Sequence, residues 1–276
     1  MSEPSTAPIN WLASYPRSGN TWVRVLLHSY YFGPPQDTTE VALTVPDIHA
    51  PQHTVAQRAR EGGPNVQMFK THLVWSGKHP GGERTNKVVY LVRHPADVLM
   101  SCLNFHRVMG TQAGPKGGGA SSAKIDDAAY VRTFIRIGGD QAWMGNNYGT
   151  LEQNISTWLD DCPAPKLVVR YEDLKSDTPE GLRRVLEFLD EPVDEAKIER
   201  AVRGASFDNM RALEIREKRG RRDKHPFFGG SDATLRKGVY FMAKGRVGEK
   251  LDKIEKGFDA KLRERFAPIM QRFGYE

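Results

Sequence analysis

Two cysteines among 276 residues, Cys102 and Cys162, are too few for a disulfide framework or a cysteine metal set, so both are expected to be plain structural residues. No stretch approaches the ~20 consecutive apolar residues that cross a bilayer, so no integral membrane protein is expected. Met1 to Pro8 lack the basic and apolar regions of a secretory leader, which makes the cytoplasm the expected location. Internal repeats and domain-separating linkers are also missing. The chain therefore reads as a single domain, 1–276, large enough to bury a sizeable core.

What is present is a moderately basic composition, with a net charge of +6 and 39% apolar residues. That charge suits either a polynucleotide or a small polyanionic ligand. The densest basic run, Arg216 to Lys224, has no interleaved aromatics and no recognition-helix pattern, so nucleic acid is not expected as a partner. A solvated charged loop is expected there.

Four short apolar segments read as buried parallel strands: Ile9 to Ala13, Val66 to Phe69, Val88 to Val92 and Leu167 to Val169. Helical stretches separate them, and alternation of this kind predicts an α/β doubly wound sheet. Thr178-Pro179 opens a helix with core positions Leu182, Val185, Leu186 and Leu189, and the C-terminus adds a helical stripe of Leu262, Phe266, Ile269 and Phe273. Two segments break the rhythm, 110–123 and 211–235, and both are candidate lids.

The most informative stretch is Trp11-Leu-Ala-Ser-Tyr-Pro-Arg-Ser-Gly-Asn-Thr-Trp22. An apolar strand runs into Pro16 and Gly19, and a helical pattern begins directly afterwards. Ser18, Asn20 and Thr21 are candidate caps for that helix, whose first N–H groups point into the loop, and Arg17 adds a fixed positive charge. Phosphate or sulfate suits such a cradle. The loop has neither the G-x-x-x-x-G-K-[ST] spacing of nucleoside-triphosphate enzymes nor the G-x-G-x-x-G of dinucleotide enzymes.

Tyr15 to Trp22 resembles the phosphosulfate loop, Y-P-[KR]-S-G-x-T-W, of sulfotransferases that use 3'-phosphoadenosine 5'-phosphosulfate (PAPS). The resemblance implies a P-loop-like three-layer fold, with a central mostly parallel sheet flanked by helices. It also implies binding of the phosphosulfate by Arg17, Ser18, Gly19, Asn20 and Thr21. A second match, Val89 to Ser101, looks like the family's 3'-phosphate motif, in which an arginine at a strand end is followed eight residues later by a serine. Here these are Arg93 and Ser101. A guanidinium at the carboxyl edge of a parallel sheet faces the crevice where such folds bind ligands, and its fork can hold a phosphate at two points.

A third match lies in Val66 to Leu73, where the family carries a lysine and, two residues on, its general base. Lys70 and His72 take those positions. They share one side of the strand if it continues so far. A histidine near neutral pKa suits removal of an acceptor proton. Arg17 and Lys70 would neutralise charge developing on the transferred group and on the leaving oxygen, with no metal required.

The resemblance further assigns adenine to the faces of Trp22, Tyr171 and Phe207, with Ala205 replacing a family threonine. Its last motif, R-K-G-x-x-G-x-W-K, is partly kept around Lys244 and Gly245, with Ala243 in the usual arginine position. Arg236-Lys237-Gly238 is a competing placement. The expected protein is thus an enzyme that moves a sulfuryl group from PAPS to a hydroxyl, or less readily an amine, of a small-molecule acceptor, releasing adenosine 3',5'-bisphosphate (PAP). A small-molecule or nucleoside kinase and a non-catalytic nucleotide-binding protein are the alternatives. The family's dimer signature is not recognisable in Leu251 to Ala260, so the oligomeric state stays open.

Overall fold

The computed structural model describes residues 7–48, 62–109, 125–220, 227–243, 245 and 247–275. Four strands, β1 (Ile9–Ser14), β2 (Met68–Thr71), β3 (Thr85–Val92) and β4 (Lys166–Arg170), pair in parallel in the order β2-β1-β3-β4. In this register Ala13 lies opposite both Thr71 and Tyr90, and Val92 opposite Arg170. The carboxyl ends of all four strands therefore open on one edge.

Alternation along each strand sorts the core into two layers. Trp11 and Ala13 of β1, with Val88, Tyr90 and Val92 of β3, face one apolar cluster, while Leu12, Val89 and Leu91 face the other. Helices α1 (Asn20–Phe32) and α2 (Thr38–Thr44) lie over the second face. On the first lie α3 (Pro95–Met109), α4 (Asp127–Ile137), α5 (Gln141–Met144) and α6 (Leu151–Ser156). After β4 come α7 (Tyr171–Ser176), α8 (Thr178–Phe188), α9 (Glu195–Gly204), α10 (Phe207–Gly220) and α11 (Asp232–Arg236), then α12 (Phe258–Arg265) and α13 (Ala267–Phe273). This is the α/β three-layer arrangement expected. Trp11 is wholly buried, yet its Nε1 donates to Thr85 Oγ1 at 2.8 Å, so its burial strands no polar atom.

Three local expectations are corrected. Strand β2 runs two residues later than its apolar run, because Lys70 is paired on both edges. Its carbonyl accepts from Ile48 N at 3.0 Å and its amide donates to Pro46 O at 2.8 Å, opposite the ladder with β1. The C-terminal stripe is broken at Phe266, where Pro268 in the first turn of α13 cannot donate to the preceding turn. The basic run from Arg216 is helical through Gly220 rather than a loop, and Lys218 is buried against Glu214. The start of the second candidate lid, 211–220, is thus the ordered end of α10. The first candidate lid, 110–123, lies outside the described residues. No helix among the described residues is long and apolar enough to cross a membrane.

Candidate active site

The loop from Tyr15 to Gly19 turns by means of two left-handed residues, Arg17 at φ 71° and Gly19 at φ 106°. Glycine is required at the second position twice over, since a Cβ there would also stand 2.6 Å from Tyr171 Cδ2. Gly19 itself caps α1, and no side chain does so. The expectation that Ser18, Asn20 or Thr21 caps the helix is therefore corrected. Asn20 instead turns back, its Nδ2 donating to Leu12 O at 3.2 Å and Ser14 Oγ at 3.3 Å. That ties the loop to the end of β1 and leaves the start of a 13-residue helix without a side-chain cap. Beside it, the buried Ser18 hydroxyl has no hydrogen-bond partner among the described residues. An anion in the loop would satisfy both.

Two guanidinium groups meet here. Arg17 Nε donates to Ser101 Oγ at 3.1 Å, and Arg93 Nη1 donates to the carbonyl of Arg17 at 3.2 Å. The Arg17 guanidinium lies 3.9 Å from the centre of the Phe241 ring, and Arg93 lies over Tyr171 at 4.2 Å. Burial first, and repulsion from Arg93 after it, bring the Arg17 pKa down to about 10, so it stays charged at neutral pH. Among the described residues Arg17 forms no ion pair. Two adjacent cations, an unpartnered buried hydroxyl and a helix start without a side-chain cap form a donor set that fits a phosphate or phosphosulfate.

At the next strand end, Lys70 is almost fully buried and its Nζ lies 2.5 Å from Asp47 Oδ2. Burial pulls the Lys70 ammonium below its usual range, against the opposing influence of Asp47. Sequence reading missed Asp47. It comes to the site only because the Pro46–Ile48 backbone adds itself to the edge of β2, and no spacing in the sequence signals that. His72 follows the strand directly. Its Nδ1 lies 2.8 Å from Ser14 O and 3.3 Å from Ser14 Oγ. A carbonyl only accepts, so Nδ1 carries the proton and Nε2 holds the lone pair. Burial, followed by the nearby Lys70 cation, pushes the His72 pKa well below its ordinary 6.5. The ring is therefore neutral at pH 7, with the Tyr148 ring 5.8 Å away.

Trp22 and Tyr171 meet edge to face with centroids 5.4 Å apart, and Trp22 Nε1 donates to Ala205 O at 3.1 Å. Phe207, two residues on, is 37% exposed and does not share that contact; it backs onto Gly245, where a Cβ would lie 2.8 Å from its ring. The Gly245 turn is held against α3 by Asp97, which accepts from Gly248 N at 3.2 Å and Glu249 N at 2.8 Å. Lys244 lies outside the described residues. The competing Arg236 has a side chain 78% exposed and paired with Asp232, on the solvent side of α11. Arg17, Ser18, Gly19, Asn20, Trp22, Arg93, Ser101 and Tyr171 thus form one connected group, and His72 joins it through Ser14.

Fold and site together define a parallel-sheet α/β protein with two adjacent guanidinium groups at the carboxyl edge of its strands. The chain belongs to the sulfotransferase domain family, whose model matches residues 8–274. It is 23% identical to the amine sulfotransferase of Oryctolagus cuniculus over 206 residues, 74% of this chain and 63% of that protein's length. It is 26% identical to a flavonol sulfotransferase-like protein of Flaveria bidentis over 92% of this chain and 81% of that one. Less than two thirds of the first relative's own length is therefore spanned. Among solved structures, mouse sulfotransferase SULT7A1 complexed with PAP is similar at a TM-score of 0.59 and 18% identity, over 96% of this chain and 85% of that one. Retinol dehydratase in complex with retinol and PAP matches at 0.59 and 17%, over 95% and 82%. At these identities the likeness is one of fold.

Proposed function

We propose that this protein is a PAPS-dependent sulfotransferase that acts on a hydroxyl, or less readily an amine, of a small-molecule acceptor. The observation that supports the reading is the bond from His72 Nδ1 to Ser14 O, which leaves the lone pair on Nε2 at the end of the strand that leads into the Arg17 loop, where Arg93 bonds the Arg17 carbonyl. A bound donor would supply the sulfuryl group, with PAP as its leaving group. Arg17 and the Ser18 to Thr21 loop hold the phosphosulfate, and Arg93, Ser101 and the Lys244-Gly245 turn hold the 3'-phosphate. Trp22, Tyr171 and Phe207 frame the adenine. His72 Nε2 removes the acceptor's proton as the new S–O bond forms, and Lys70 supplies a cation at the next strand end.

The test is incubation of the purified protein with PAPS and a panel of phenols, aliphatic alcohols, amines and glycans, read by mass spectrometry for an added sulfuryl group. Titration with PAP runs in parallel. Sulfated product and PAP binding are expected. Activity with ATP and magnesium in their place would favour a kinase; PAP binding with no product from any acceptor would favour a non-catalytic nucleotide binder.

A further inference from the structure

Among its described residues, the segment 227–249 has one short helix and no strand, yet buried carboxylates from other elements hold its backbone. Glu217 of α10 accepts from Phe227 N at 3.0 Å and Phe228 N at 3.2 Å. One turn earlier, Glu214 accepts from Phe241 N at 2.7 Å and Met242 N at 2.9 Å. Glu214 is also paired with Lys218, and both side chains are wholly buried. Arg211 of the same helix donates to Ala243 O at 2.8 Å, so α10 grips this stretch by its amides and its carbonyls.

Stability is a poor explanation for a wholly buried Lys–Glu pair, since well-packed apolar residues in such places are often neutral or stabilising. A carboxylate that takes two successive amides fixes a backbone that has no ladder of its own. The residue so fixed is Phe241, whose ring lies 3.9 Å from the Arg17 guanidinium.

We propose that Glu214 is a positioning residue for the anion site, holding Phe241 against Arg17 and so aiming that guanidinium at the phosphosulfate loop. The proposal rests on the sulfotransferase reading. Glu214 reaches Arg17 electrostatically as well, since its charge is among those that favour the protonated guanidinium against the dominant effect of burial. The arrangement belongs to α10, which runs into the basic stretch that the sequence presents as solvated charge.

The test is PAP affinity by calorimetry on the full chain. Glu214→Gln is paired with Lys218→Met so that no buried charge is stranded. That variant and Phe241→Leu are each expected to bind PAP about tenfold more weakly, and their combination also about tenfold, because both act through one contact. Losses that multiply to about a hundredfold, or wild-type affinity in the Glu214→Gln/Lys218→Met protein, overturn the proposal. Phe241→Leu leaves the main-chain bonds to Glu214 intact, so unchanged affinity there overturns it even if the paired variant does not fold. A wild-type protein that fails to bind PAP overturns the sulfotransferase reading instead, and this proposal with it.

Discussion

His72 Nδ1 lies 2.8 Å from the carbonyl oxygen of Ser14, joining the exit of β2 to the last residue of β1. One hydrogen bond thereby sets both the tautomer of the imidazole and its place beside the anion loop. His72→Ala should cut sulfuryl transfer by about 10²- to 10⁴-fold, the usual contribution of a general base. PAP affinity should stay near wild type. Turnover assays with parallel calorimetry check the split; equal losses in both would make His72 a structural residue.

Acidification provides a second reading of the same group. Because burial and Lys70 hold the His72 pKa down, the ring remains a base through pH 6.5, and kcat/KM should show no acid limb between about pH 8 and pH 6.5. The unfolded chain takes up this proton near its ordinary pKa, before the folded one does. The stability contribution is therefore intact above about pH 6.5 and declines as pH falls below it. Between about pH 7 and pH 5 the Tm of wild type should drop further than that of His72→Ala.

Arg93 bonds the Arg17 carbonyl and lies over Tyr171. Arg93→Ala should weaken PAP by about ten- to a hundredfold, in line with charge-assisted hydrogen bonds of about 1.5–3 kcal/mol. Adenosine, which lacks phosphate, should lose much less. Calorimetry with both ligands separates loss of a phosphate contact from general damage.

Gly19→Ala places a side chain at φ 106° and 2.6 Å from the Tyr171 ring. A stability loss of about 1–3 kcal/mol is expected in urea unfolding, from backbone strain and from displacement of the ring. Adenosine binding should weaken as well, since Tyr171 is one of the rings proposed to frame the base.

Asp47 opposes the burial that pulls the Lys70 pKa down. Removing its charge in Asp47→Asn leaves burial and the nearby Arg24 cation without that opposition, so Lys70 should lose its proton at lower pH than in wild type. The alkaline limb of kcat/KM should then shift to lower pH, and an unmoved limb would show that Lys70 does not act as a cation in the reaction.

The sequence patterns were clear where chemistry is local. Trp11 to Trp22 announces strand, turn and helix, because an apolar run, Pro16 and Gly19 act over a few residues. The stripe in Leu182 to Leu189 marks one buried helix face for the same reason. Lys218 was misread because the segment that buries it follows α10 in the chain, and composition alone makes the run from Arg216 look solvated. The helix cap was misread too: Asn20 has a capping side chain, but the end of β1 offers it Leu12 O and Ser14 Oγ, and those bonds win.

By itself, the sequence determined the alternating α/β pattern, the turn that carries Arg17 and the strand that ends at Arg93, since these depend on short-range pattern, while resemblance to the sulfotransferases singled out Lys70 and His72. Only the tertiary structure decided which way His72 bears its proton, that Asp47 meets Lys70, and that Phe241 covers Arg17. Those are contacts between segments tens to hundreds of residues apart, set by the register of the sheet and by what burial demands of each charge.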